Sequence, residues 1–194
     1  MDLPNYLRKK RGKLELKKGK KWITWNPYHS KLAAYLLGSG ENWPFTRESK
    51  VLYLGAAEGN TVNFLSNICI EGRIIAIDIS RISMIELVTL AEDKRNIIPF
   101  LGDAHFPEKY RNHAGNPDIL YQDIAQADQV NIFVRNYKYF KPKYGFLMIK
   151  SHSISGKESE VYSETKKMLN QNFNVVKVTN ISKWAKGHNA YYIE

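Results

Sequence analysis

A single cysteine, Cys69, stands in 194 residues, so no internal disulfide can form. A reducing interior is expected, with Cys69 as a small buried helix residue. The five histidines are scattered and give no ligand spacing with it, so no metal site is expected. No apolar run approaches a membrane span, and the polar, basic N-terminus is unlike a signal peptide. No membrane partner and a cytoplasmic location are therefore expected. Acid is also in short supply: 19 Asp and Glu face 29 Lys and Arg, a formal net charge of +10. The imbalance is local. Residues 1–21 hold nine basic residues against Asp2 and Glu15, while the rest of the chain holds 20 against 17. A basic arm on a near-neutral body suits a polyanion, and Tyr6, Trp22, Trp25 and Tyr28 nearby can stack on bases.

The hydrophobic content of 43% supplies a core for one domain with a short appendage. The spacing predicts two units, a basic arm with a small β-hairpin over 1–25 and an α/β domain over 26–194. Lys13 to Lys17 and Lys21 to Trp25 alternate apolar and polar residues and read as the hairpin. Asn26 is placed to cap a helix whose first turn holds Pro27. Gly38 to Lys50 reads as a connector. Strands are then predicted at 51–55, 74–78, 97–101, 118–122, 145–150, 173–179 and 189–193. Helices are predicted at 60–69, 80–93, 126–140 and 157–171. The early strands are continuous apolar runs, as in a parallel sheet covered on both faces. The last two are too close in sequence for a crossover and should pair antiparallel. The fold class is a seven-stranded Rossmann-like sheet of the class I methyltransferase type, with helices on both faces.

The segment from Val51 to Thr61 followed by Ile74 to Asp78 reads as strand, small-residue turn, helix start and a second strand ending on a carboxylate. Gly55 and Gly59 let the backbone pass close to a ligand, Ala57 lies in the turn between them, and Asp78 suits a ribose diol. A dinucleotide fingerprint would need a third glycine where Thr61 and Val62 stand. A nucleoside without phosphates fits better, and S-adenosylmethionine is the commonest such cofactor. Polar residues recur at strand ends, where open parallel sheets bind ligands. Asp103 is placed to accept an adenine amino group or to cap the turn before His105. Asp123 follows the fourth strand, or caps the next helix. Lys150 ends the fifth, as a reactive group or a rim side chain. The fourth and fifth strands lie about 4.8 Å apart, which would bring Asp123 and Lys150 face to face. His188 opens the last strand on the same sheet edge, in the site or in a surface loop.

Trp25-Asn-Pro-Tyr-His-Ser-Lys-Leu-Ala-Ala34, the Val51 to Gly59 segment, Asn96-Ile-Ile-Pro99, Gly102-Asp-Ala104 and Asp123-Ile-Ala-Gln126 together resemble fibrillarin, in its archaeal form without a Gly/Arg-rich tail. The resemblance runs from about Trp22 to the C-terminus. It implies an RNA 2′-O-methyltransferase using S-adenosylmethionine inside a box C/D ribonucleoprotein. The implied partners are a guide RNA, target rRNA or tRNA, a Nop-domain scaffold and a kink-turn-binding ribosomal-type protein. It implies a catalytic set of Lys31, Asp123, Lys150 and His188. Cofactor contacts are implied at Asn60, Thr61, Asp78, Ile79, Asp103, Ala104 and Asp123, Ile124, Ala125 and Gln126. The chain departs from the family pattern in a shortened N-terminal region, at Asn60 in place of Thr, at Ala127 in place of Pro and at Gly187 in place of Asp. The alternatives are a stand-alone FtsJ-type rRNA methyltransferase, with a similar Lys–Asp–Lys set, and a non-catalytic RNA-binding scaffold on the same fold. An amino-group methylase would carry an Asn/Asp-Pro-Pro-aromatic segment after the fourth strand, which is absent here.

Overall fold

A computed structural model describes residues 3–38, 42–154 and 157–194. Parts of the expected basic arm (1–2) and connector (39–41) lie outside the described residues. Three short strands come first: β1 (Leu7–Lys10), β2 (Lys13–Lys18) and β3 (Lys21–Trp25), in an antiparallel sheet of order β1-β2-β3. The sequence predicted only the β2–β3 hairpin. β1 offers one apolar residue, Leu7, but Arg11 and Gly12 both take positive φ (51° and 73°). Two such residues in succession are the turn that joins twisted antiparallel strands, so β1 folds back on β2.

Helix α1 (Lys31–Gly38) begins four residues later than expected. Asn26 caps a turn instead, its side-chain oxygen accepting from the Tyr28 amide at 3.0 Å. Ser30 is the helix cap: its Oγ accepts from Ala33 N at 3.4 Å, and its carbonyl from Ala34 N at 3.0 Å. Alternation of β4 (Lys50–Leu54), α2 (Asn60–Ile68), β5 (Arg73–Asp78), α3 (Arg81–Asp93) and β6 (Ile97–Leu101) follows. A 3-10 turn and a four-residue helix, α4 (Arg111–Ala114), then lead to β7 (Ile119–Gln122), α5 (Gln129–Phe140), β8 (Tyr144–Lys150), α6 (Glu158–Asn170), β9 (Val175–Asn180) and β10 (His188–Ile193).

The large sheet has the order β6-β5-β4-β7-β8-β10-β9, and β10 alone runs opposite to the other six strands. Successive side chains along each strand face opposite sides. Val51, Tyr53, Ile74, Ala76, Tyr121 and Phe146 pack toward α1, α2 and α3, and Leu7, Leu14, Leu16 and Trp25 of the small sheet join the same apolar cluster. Leu52, Leu54, Ile75, Ile77, Leu120, Leu147 and Ile149 pack on the other face, toward α5 and α6. With both faces covered, the continuous apolar strands are explained. Strand order reverses between β4 and β7, so a crevice opens beyond their carboxyl ends.

Candidate active site

That crevice is a cleft of about 230 Å³. It is lined by Gly55, Ala57, Asp78, Ile79, Asp103, Ala104 and the run Asp123, Ile124, Ala125 and Gln126, together with Ile77 and Gly102. The run after β7 reaches β4 through the Asp123 amide, which donates to Leu54 O at 2.9 Å. Gly55 has φ 77°, and a Cβ there would stand 2.5 Å from the Asp123 carbonyl oxygen. The bare glycine therefore lets two protein segments approach, rather than a ligand alone. Gly59 is likewise a packing glycine, with Leu87 and Leu90 where its side chain would be.

Asp78 is fixed before any ligand arrives. Its Oδ2 accepts from Ala57 N at 2.8 Å and its Oδ1 from Ser80 N at 2.8 Å. The first bond holds Ala57 in a left-handed conformation (φ 47°) that a residue with a side chain rarely adopts. Each oxygen keeps a further lone pair, which suits a vicinal diol.

Asp103 both lines the cleft and caps the turn. Its Oδ1 accepts from the His105 amide at 2.9 Å and meets the His105 Nδ1 at 2.6 Å. The other imidazole nitrogen meets Asp128 Oδ2 at 2.7 Å. Hydrogen bonds to Asp128 first and Asp103 second raise the His105 pKa above 6.5. Burial works against ionised Asp103, but the His105 amide, the imidazole and its charge outweigh it and hold the carboxyl below its usual range. Sequence reasoning gave His105 no role. The signal available was an imidazole two residues beyond a strand-end aspartate.

The charged residues meet at the rim by Asp123. Lys31 Nζ, at the start of α1, lies 2.8 Å from Asp123 Oδ2. The direct ion partner of Asp123 is thus Lys31, not Lys150 as expected from adjacent strands. The register explains the difference: Gln122 pairs with Leu147, so Lys150 stands three residues further along β8. Lys150 instead faces His188 across the β8–β10 ladder. The imidazole of His188 is buried, and Nδ1 donates to Lys186 O at 2.9 Å, since a carbonyl can only accept. Burial lowers its pKa, and the charges of Lys31 and Lys150 push the same way against the Lys186 bond and Asp123. His188 is therefore a neutral base at neutral pH, and the four residues form one electrostatic group.

Two expected contacts fall elsewhere. Thr61 is buried, and its hydroxyl donates to Ser30 Oγ at 2.9 Å, so it braces α1 against α2 rather than lining the cleft. Asn60 is exposed and lines a separate hollow with Glu58 and Asn63. Neither side chain is among the residues that line the cleft. Among the described residues no group of three or more His, Cys, Asp or Glu is arranged to hold a metal, and no helix is long and apolar enough to cross a membrane.

The residues fit an adenosyl group. A rigid carboxylate suits a ribose, a second carboxylate suits an amino-purine edge, and Ile79 and Ile124 supply apolar walls. Comparison with known proteins agrees with the geometry. A family model described as Fibrillarin matches residues 9–194. A fibrillarin-like rRNA/tRNA 2′-O-methyltransferase of Thermococcus sibiricus is 41% identical over 176 residues, 88% of this chain and 78% of that protein. The structure resembles a crystal structure of a fibrillarin/Nop5p complex with a TM-score of 0.91 and 31% identity, covering 100% of this chain and 99% of that one. It also resembles Aeropyrum pernix fibrillarin with natively bound S-adenosyl-L-methionine, with a TM-score of 0.84 and 33% identity, covering 94% and 89%.

Proposed function

The chain belongs to the fibrillarin family, and from that premise we propose that it methylates ribose 2′-hydroxyls of rRNA and tRNA as the catalytic subunit of a box C/D ribonucleoprotein. One observation carries this reading. Asp123 lines the adenosyl cleft and is also the carboxylate held by Lys31, so the cofactor site and the charged cluster share a residue.

S-adenosylmethionine would be held by Asp78, whose fixed carboxylate suits the ribose diol, by Asp103, which suits the amino edge of adenine, and by the run from Asp123 to Gln126. Bound there, the cofactor supplies an electrophilic methyl on a good leaving group. The chain's own residues must aim the RNA hydroxyl and take its proton. Lys31 holds Asp123 Oδ2, which leaves Oδ1 to meet the 2′-hydroxyl. The Asp123 carboxylate accepts that proton, neutral His188 is the nearby base to which it passes, and the Lys150 ammonium donates to the oxygen that loses it.

Target choice belongs to a guide RNA, since the chain carries no aromatic RNA-recognition pattern. A Nop-domain scaffold is the protein partner, as in the fibrillarin/Nop5p relative. A kink-turn-binding protein completes the particle. The test is a methylation assay on guide-paired RNA with and without those proteins, with the 2′-O-methyl nucleotide identified by nuclease-resistant digestion. Turnover confined to the guided nucleotide is expected. Turnover that needs neither guide nor scaffold would place the chain with the free-standing FtsJ-type enzymes. Tight S-adenosylmethionine binding without turnover in any combination would make it a scaffold.

A further inference from the structure

Beyond Gln122, β7 gives β8 no further strand to pair with, yet Lys150 lies past that point. Its backbone is held all the same. The side chain of Gln129, the first residue of α5, accepts from Lys150 N at 3.1 Å through Oε1 and donates to Lys150 O at 3.2 Å through Nε2. A side-chain amide thus replaces the missing strand, making both bonds that a neighbouring peptide would make. On the other side Lys150 is paired with His188. The same Nε2 also donates to Gln126 O at 2.8 Å, the last residue of the cleft-lining run. Gln129 in turn is fixed by Gln122, whose Nε2 donates to Gln129 O at 2.6 Å. Gln129 is fully buried, as is Gln122.

We propose that Gln129 is a positioning residue for methyl transfer: it sets the distance between Lys150 and the cofactor-lining run by bonding to both at once. The proposal rests on the reading that the chain is a ribose methyltransferase. The physical case is that only a group with one acceptor and two donors can satisfy this junction. Glutamine has them, and a carboxylate has no donor. Without these bonds, the end of β8 past β7 is tied on one side only, and small displacements of a reacting group cost rate steeply.

Two variants test this in the full complex. In Gln129→Met the shape is kept and all three side-chain bonds are removed. Its kcat is expected to fall by about tenfold or more, with KM for RNA and calorimetric affinity for S-adenosylmethionine held within about threefold. In Gln129→Glu the acid can donate only when protonated. Its relative kcat is therefore expected to rise as pH falls, opposite to an enzyme that must remove a proton. A role confined to stability would give neither the split between kcat and binding nor the inverted pH profile. Wild-type kcat in Gln129→Met overturns the proposal, as does a fall that only parallels weakened cofactor affinity. If that variant fails to fold, the profile of Gln129→Glu decides, and a wild-type shape overturns it. Absent turnover in the wild-type complex would instead refute the methyltransferase reading itself.

Discussion

His105 is gripped by two carboxylates, Asp103 of the adenosyl cleft and Asp128 just before α5. Its pKa is raised above 6.5, so the stability it contributes is complete below that value and is lost as pH climbs through the folded-state pKa. Asp103 is shifted down from 3.8, so its share is present above that value and is lost as pH falls through the lowered one. The bridge is strongest between the two ordinary values. His105→Asn is expected to melt further below the wild type at about pH 5.5 than at alkaline pH, in thermal scans across that range. A gap of constant size would mean that the imidazole's charge contributes nothing. Lys150 admits an equally direct measurement. Replacing it by Met should lower turnover by about 10²–10⁴-fold, while calorimetry shows S-adenosylmethionine still bound. Undiminished turnover removes Lys150 from the mechanism. These residues differ in how far sequence reveals them. Asp78, Asp103 and Asp123 are legible because each follows an apolar strand. The Lys31–Asp123 pair joins residues 92 apart, and the bonds from Gln129 to Lys150 span 21. No local pattern encodes such pairings.

Among the secondary-structure elements, the central strands β4, β5, β7 and β8 are legible because burial on both faces demands near-continuous apolar residues. The small sheet is half legible. β2 and β3 alternate, whereas Leu7-Arg-Lys-Lys10 has a polar majority, and its pairing depends on the Arg11–Gly12 turn. The start of α1 falls later than the sequence predicts because the well-formed opening Asn26-Pro27 is passed over for Ser30-Lys31. Tertiary contact decides between them: Ser30 bonds to Thr61 of α2 as well as to its own helix. Ser30→Ala should therefore cost about 1–2 kcal/mol in urea unfolding, from the missing cap and the orphaned Thr61 hydroxyl. Ser30→Thr, which keeps the oxygen, should recover part of it. No change in the unfolding midpoint would show that α1 is held by its buried Leu32, Tyr35 and Leu36 alone.

The whole molecule is polarised in charge. Lys17, Lys18, Lys20 and Lys21 are exposed on the small sheet, while Arg8 is engaged by Glu15 at 2.6 Å and lies 3.9 Å over the Trp22 ring. The chain alone should bind unguided RNA weakly, with log affinity falling linearly against log salt. Changing those four lysines to Gln should flatten the slope by about 0.7 for each phosphate no longer neutralised, as read by fluorescence anisotropy. An unchanged slope would put the RNA elsewhere. A different consequence comes from the position of β10, the last strand in sequence but an interior strand in space, between β8 and β9. During synthesis β8 has no neighbour on that side until residues 188–193 leave the ribosome, and β9 has nothing in the sheet to pair with. The strand that brings His188 to Lys150 is also the one that closes this gap. The newly made protein therefore gains the pairing of His188 with Lys150 and its finished sheet in the same event, and a nascent chain without that strand has neither.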